Sequence, residues 1–345
     1  MLLALALLAG CSGGGGGDDG DKGTTAAPSA PAVGDVGTAT DLQDAYVRVV
    51  AAVLPSVVQI NTDQGEGSGV VYDDKGHIVT NAHVVAGARR LQVVPSSGGS
   101  PLDAELVGVF NAGDLAVVKV EGANLPPATF GDSTELKVGQ IVLAMGSPLG
   151  LSGSVTNGII SATGRTVTSS RQGAFPGATI TDAVQTSAAI NPGNSGGALV
   201  TLDGRVVGIP TLAAGTGSGS LAAGIGFAIP SASVRAVAPQ LISSGKVTQS
   251  GRAALNVTIA QTFSTATGAP DGVAIVSVVE GGAADRAGLR ANDVVLEVDG
   301  RSTLTTTALA EVLADLEVGQ TVPVKIRRNG QEATVQVKLG ELPGD

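Results

Sequence analysis

The sequence predicts a mainly β fold, on two observations. Between residues 56 and 230 the 345-residue chain reads as many short Val/Ile/Leu runs punctuated by Gly, Asn, Asp and Ser, the pattern of short strands and tight turns. That stretch lacks the regular helical periods that a doubly wound α/β sheet requires.

Taken in chain order, the first ten residues are almost wholly apolar and run into Leu8-Ala9-Gly10-Cys11, which is similar to a bacterial lipobox. Cleavage before Cys11 and acylation of its thiol would tether the chain to a membrane, so residues 1–11 are expected to be a lipoprotein-type signal segment. No Lys or Arg precedes Lys22, so the usual basic stretch is missing. Ten apolar residues cannot span about 30 Å of hydrocarbon. Residues 12–40, rich in Gly, Asp, Ser, Thr, Ala and Pro, cannot bury enough apolar surface to offset their ordering entropy and are expected to form a flexible tether. Cys11 is the only cysteine, which excludes an intramolecular disulfide and leaves stability to core burial. A net charge of −10 without a Lys/Arg cluster argues against nucleic acid and against a polybasic membrane patch. From Asp41, apolar residues at Leu42, Ala45, Val49, Ala52 and Val53 keep a helical period that Pro55 closes.

The candidate chemistry centres on Gly193-Asn194-Ser195-Gly196-Gly197, a serine flanked by glycines. Such a match arises easily among 51 glycines. A serine hydroxyl is a poor nucleophile by itself, so a base and a group that orients the base must be found elsewhere. The chain has two histidines. His83, in Thr80-Asn81-Ala82-His83-Val84-Val85, follows the strand-like pair Ile78-Val79 and is placed at a strand end. His77 follows the polar turn Asp73-Asp74-Lys75-Gly76 and is expected at the exposed start of the next strand. For the orienting carboxylate Asp114 fits best, since it immediately precedes the buried-strand run Leu115-Ala116-Val117-Val118-Lys119-Val120. Asp103 falls inside a strand pattern and Asp132 in a Gly-Asp-Ser turn. The order His83, Asp114, Ser195 is that of chymotrypsin, distinct from the orders of α/β-hydrolases and subtilisins.

Together with Gly113 to Val120, Asn191 to Leu199 and Gly224-Ile225-Gly226-Phe227-Ala228-Ile229-Pro230, these motifs resemble the HtrA (Deg) family of trypsin-like serine proteases, from about Leu42 to about Leu342. The resemblance implies a chymotrypsin-like double β-barrel protease domain over 41–247, followed by an α+β PDZ domain over 250–342. It implies His83 as general base, Asp114 as its orienter and Ser195 as nucleophile, with an oxyanion hole from Gly193, Asn194 and Ser195, and no cofactor or metal. Family members commonly carry Asp where this chain has Ser187.

The residue six before the nucleophile is Ala189, followed by Ile190, so no charge awaits a basic substrate side chain. Cleavage after small or medium aliphatic residues is expected. Thr211, Leu212, Ala213, Ala214 and Gly215 match the family's substrate-lining segment, and Arg165 matches an arginine that couples peptide sensing to the oxyanion hole. Ala254, Leu255, Asn256 and Val257 resemble the PDZ carboxylate-binding loop, with Asn256 where Gly is usual; Asn accepts the left-handed conformation such a loop needs. Thr306 to Leu316 would line the groove. The resemblance implies unfolded protein substrates, C-terminal peptide partners, a lipid-anchored bacterial envelope location and a homotrimer, for which only Tyr46 offers the usual aromatic support. The competing class is an envelope chaperone or PDZ scaffold whose protease domain is idle.

Overall fold

The computed structural model describes residues 38–147, 153–169, 172–191, 193–215, 221–342 and 344. Cys11, most of the expected tether and Pro192 lie outside the described residues. The first helix, α1 (Ala39–Val53), starts from a reciprocal cap: the Thr38 N–H and hydroxyl both donate to Asp41 Oδ2 at 2.8 Å, and the Asp41 N–H donates back to Thr38 Oγ1 at 3.3 Å. Its apolar stripe is narrower than the sequence period suggests. Val49 and Val53 are buried, whereas Leu42 and Ala52 are exposed. Pro55 ends the helix in a single 3-10 turn over Leu54–Ser56.

Two closed barrels follow. The first contains β1 (Val57–Thr62), β2 (Glu66–Val71), β3 (His77–Thr80), β4 (Leu91–Pro95), β5 (Leu102–Phe110) and β6 (Leu115–Val120), in the order β1-β2-β3-β6-β5-β4. A one-turn helix, α2 (Ala82–Val85), leaves the end of β3. The second barrel contains β7 (Ile141–Gly146), β8 (Ser154–Ser169), β9 (Ala178–Thr186), β10 (Ala198–Thr201), β11 (Val206–Gly215) and β12 (Leu221–Pro230), in the order β10-β11-β12-β9-β8-β7.

Why the strands read as continuous apolar runs becomes clear from their two faces. Along the first barrel, Val58, Ile60, Val71, Ile78 and Val118 share one buried cluster, while their neighbours Val57, Val70, Val79 and Val117 share another. That second cluster also takes in Leu143, Met145, Ala198 and Val200 of the second barrel, and Val234, Val237 and Leu241 of α3 (Ser231–Ser244). Successive residues of a strand point to opposite faces, so β1, β2, β3 and β6 each feed both their own barrel interior and the core between the barrels.

His77 departs from expectation. It begins β3 but is buried, at 8% exposure, not exposed. Its Nδ1 lies 2.7 Å from Asp73 Oδ2, and the turn between them folds back onto β6, where the Val120 N–H donates to the Gly76 carbonyl at 3.0 Å. Burial pushes the Asp73 carboxyl up, but the hydrogen bonds from His77 and Lys75 outweigh it and hold the group below its ordinary value.

The C-terminal part is α+β. Its strands are β13 (Ala253–Ala254), β14 (Val257–Phe263), β15 (Pro270–Val278), β16 (Val294–Val298), β17 (Arg301–Ser302), β18 (Thr321–Arg328), β19 (Gln331–Lys338) and β20 (Gly340–Glu341), with helices α4 (Ala283–Arg286) and α5 (Thr306–Ala314). The main sheet runs β14-β15-β16-β18-β19, which leaves β14 at an edge beside α5. Its core packs Val273, Ile275, Val295, Val324 and Ile326 against Leu309 and Val312 of α5.

Candidate active site

The first barrel places His83. His83 sits one helical turn beyond the end of β3, in α2, rather than on the strand itself. What fixes that turn is Asp114. It holds a left-handed conformation (φ 54, ψ 38) at the end of the 3-10 turn Asn111–Gly113, a conformation tolerated by Asp and Asn more than by most residues. Its backbone carbonyl accepts from the Ala82 N–H and from Asn81 Nδ2, each at 3.1 Å. Its carboxylate, 1% exposed, accepts from the His83 backbone N–H at 3.0 Å and lies 2.8 Å from His83 Nδ1. A carboxylate can only accept, so Nδ1 must be the protonated nitrogen and Nε2 keeps its lone pair. The Phe175 ring, carried between β8 and β9, meets the imidazole edge-on with ring centroids 5.8 Å apart.

The second barrel brings the serine. The Ser195 hydroxyl donates to the Thr211 carbonyl at 3.2 Å, and the Thr211 hydroxyl donates to Asp114 Oδ2. Thr211, expected among pocket walls, therefore links the Ser195 hydroxyl and the Asp114 carboxylate through its two ends. The serine loop needs its glycines for lack of space. A Cβ on Gly196 (φ 84) would stand 2.1 Å from the Ser68 carbonyl oxygen, and one on Gly197 would stand 2.1 Å from that of Met145. Gly193, at φ 102, also occupies a conformation that side chains rarely adopt. The Asn194 side chain folds inward: Oδ1 accepts from the Asn191 N–H and Nδ2 donates to the Ala189 carbonyl, both at 3.0 Å. Its contribution is to brace the loop that presents the Gly193 and Ser195 amides.

Ala189 is exposed and Ile190 is 6% exposed, facing Gly226. A Cβ on Gly226 would come within 2.4 Å of Ile190 Cγ1, so the isoleucine fills the space that the glycine leaves. Ser187, the departure from the family pattern, pairs with Ile159 in both directions: its hydroxyl oxygen accepts from the Ile159 N–H at 3.0 Å, and its own N–H donates to the Ile159 carbonyl at 3.1 Å. Leu212, Ala213, Ala214 and Gly215 continue β11 beside β12, and their side chains lie outside the described residues. Arg165 is exposed in β8 opposite Ala183, with the β8–β9 register shifting on both sides of it.

In the C-terminal domain Asn256 has φ 57, the left-handed value anticipated for a loop residue replacing glycine. Its Nδ2 donates to the Glu341 carbonyl at 2.8 Å and its Oδ1 accepts from the Ala283 N–H at 3.2 Å, contacts no glycine makes. Ala254, Leu255 and Val257 flank it along a groove of about 370 Å³ between β14 and α5, lined also by Ile259, Leu309 and Leu313. At the groove's end Arg252 Nη1 donates to the Ala112 carbonyl at 2.6 Å, and burial pushes its guanidinium down to about 10.

Residues 67–209 match the trypsin-like peptidase domain and residues 254–339 the PDZ domain. The chain is 42% identical over 279 residues to a probable periplasmic serine endoprotease DegP-like of Halomonas elongata, covering 80% of this chain and 56% of that protein. It is 40% identical over 313 residues to the serine protease PepD of Mycobacterium tuberculosis, covering 85% of this chain and 66% of that protein. It thus spans between half and two thirds of these relatives' lengths. Among solved structures, the HtrA-type protease AlgW with a decapeptide matches with a TM-score of 0.58 at 32% identity, covering 87% of this chain and 99% of that one.

Proposed function

Because this chain belongs to the HtrA family of serine proteases, we propose that it is a serine endopeptidase of the bacterial cell envelope that cleaves unfolded or damaged proteins. The observation that carries the reading is the linked set His83, Asp114, Thr211 and Ser195, assembled across two barrels. Ser195 Oγ attacks the scissile carbonyl carbon while its proton passes to His83 Nε2. The carbonyl electron pair moves onto oxygen, where the Gly193 and Ser195 amides stabilise it by typically about 3 kcal/mol per donor. His83 then returns the proton to the leaving amine as the C–N bond breaks, and water resolves the acyl-enzyme by the same route in reverse. Asp114 holds the imidazole's tautomer and balances the imidazolium charge. The hydrogen bond from Ser195 to Thr211 describes a resting state, and its transfer to His83 precedes attack.

Ala189 with Ile190 and Gly226 supports cleavage after small or medium aliphatic residues. The apolar groove beside the edge strand β14 supports capture of C-terminal peptides by strand addition. The matched domains support a protease domain over 41–247 and a PDZ domain over 250–342. The relatives named periplasmic support a location outside the cytoplasm. The lipid anchor at Cys11 rests on the sequence, and the homotrimer on family resemblance.

Digestion of β-casein tests the reading: the parent protein is expected to degrade it, with or without a groove-binding peptide, and Ser195→Ala to leave it intact. Equal cutting by both proteins overturns the assignment of the nucleophile. The engagement of the Ser195 hydroxyl by Thr211 favours the second reading, an idle protease domain on a PDZ scaffold. Intact casein under both conditions supports that one.

A further inference from the structure

The oxyanion hole depends on where two backbone N–H groups point, so whatever fixes the peptide planes around Gly193 and Ser195 matters to the reaction. Most of those planes are pinned from within the second barrel. The Asn194 N–H donates to the Asn191 carbonyl, the Gly197 N–H to the Asn194 carbonyl, both at 3.1 Å, and the Gly196 N–H to the Pro210 carbonyl at 2.9 Å. Two of these planes, those of the Gly193 and Ser195 carbonyls, are held a second time from the first barrel, by one residue of β2. The Ser68 hydroxyl donates to the Gly193 carbonyl at 2.6 Å, and the Ser68 N–H donates to the Ser195 carbonyl at 2.8 Å. The Ser68 oxygen in turn accepts from the Ser147 N–H at 2.9 Å, just past the end of β7, and its carbonyl accepts from the Thr80 hydroxyl at 2.7 Å, three residues before His83. Ser68 is fully buried.

We propose that Ser68 is a positioning residue for the oxyanion hole, acting across the seam between the barrels; this rests on the proteolytic reading. Gly193 has no side chain to restrain its rotation. Its carbonyl shares one rigid peptide plane with the Asn194 N–H, so that plane is held at both ends, by the Ser68 hydroxyl at 2.6 Å and by the Asn191 carbonyl at 3.1 Å, which leaves the torsion about the Gly193 N–Cα bond to aim its N–H. Without the Ser68 hydroxyl the plane keeps only the longer bond from within its own loop, and the direction of the Gly193 amide is less tightly set. The neighbouring N–H bond to the Ser195 carbonyl survives any side-chain change at position 68, so the nucleophile keeps its anchor while the oxyanion donor does not.

Steady-state and burst kinetics on a chromogenic aliphatic peptide separate this from a loss of stability. For Ser68→Ala, kcat per titrated active site is expected to fall about 10- to 100-fold, the scale of a misplaced or lost oxyanion donor. KM is expected to stay within about twofold, since ground-state contacts are untouched. Affinity for a peptide boronate, whose tetrahedral adduct occupies the oxyanion hole, is expected to fall by the same factor as kcat. The pH dependence of kcat/KM, set by His83, is expected not to move. Ser68→Thr, which restores the hydroxyl, recovers most of the loss; if the alanine variant does not fold, Ser68→Cys, of similar volume and a weaker donor, is expected to show the same losses in smaller measure. An Ala variant within twofold of the parent in kcat per site and boronate affinity overturns the inference. So does a Thr variant that melts like the parent yet is as slow as Ala. A parent that neither cleaves peptide nor binds boronate overturns the proteolytic reading itself, a result distinct from either.

Discussion

The two barrels share one strand order: read from its first strand, the second runs β7-β8-β9-β12-β11-β10, as the first runs β1-β2-β3-β6-β5-β4. They differ in regularity. Among the described residues the first barrel has one register shift, in β5 against β6, whereas the second has shifts in β10–β11, β11–β12 and β8–β9. Regular pairing belongs to the barrel that carries His83 and Asp114, the proposed base and its orienter, which the structure joins by a hydrogen bond. Bulges re-aim side chains and loosen a ladder locally, and they fall in the barrel that carries Ser195, Ala189 and Arg165. The same topology thus serves as a fixed frame on one side and an adjustable one on the other.

The strongest way to break this contrast is at the fixed frame. Asp114→Asn is expected to lower kcat about 10⁴-fold, because the amide can donate to Nδ1 and stabilise the wrong tautomer. Peptide hydrolysis measures it, and a loss below tenfold would show that the first barrel does not orient the base. Next comes packing. Gly158→Ala in β8 would drive a Cβ to 2.1 Å from the Ala188 backbone nitrogen, and is expected to cost about 1–3 kcal/mol in denaturant unfolding. Gly69→Ala in β2 meets only the side chains of Ile78, Ile60 and Val58, which can shift, and is expected to cost less. A larger loss at Gly69 would show that backbone against side-chain neighbours does not decide the cost.

Smaller again is Thr211→Val, which keeps shape but removes the donor to Asp114. A hydrogen bond to a charged group contributes about 1.5–3 kcal/mol, so kcat/KM is expected to fall at least about tenfold, with unchanged activity refuting the link. The smallest effect belongs to Asp73→Asn at the far end of β3. Asp73 titrates below its ordinary value in the folded chain, so its stabilisation is present above the unfolded pKa of about 3.9 and is lost as pH falls through the folded value. The variant is expected to melt earlier at neutral pH, and the gap to close below about pH 4. Melting curves across pH decide it; a gap that persists in acid assigns the effect to packing.

How far the sequence alone reached can be judged residue by residue. The barrels announce themselves through β1, β3, β6, β7 and β10, which are buried on both faces and read as apolar runs, whereas β5 and β8 keep exposed residues along much of their length. The pairing of His83 with Asp114 could be guessed because candidate bases were few. The sequence predicts an exposed His77, since a polar turn normally leads out to solvent; in the structure the turn folds back onto β6, a contact between residues distant in sequence, and His77 is buried. The dual role of Thr211 and the reach of Ser68 left no local signal. Their hydrogen bonds span 97 and 125 residues, and threonine or serine in a strand or turn is compositionally ordinary. Asn256 was readable, because a positive φ narrows the choice of residue wherever it occurs.

The contact between Phe175 and His83 also makes the molecule optically convenient. The chain contains no tryptophan, so it is dark where indole emits. Placing the single tryptophan at that position, as Phe175→Trp, would set one fluorophore edge-on to the imidazole, and a protonated imidazole quenches indole emission. On the proposed mechanism each turnover would charge and discharge that ring, so the light from a single residue would follow the proton through the acylation cycle in real time.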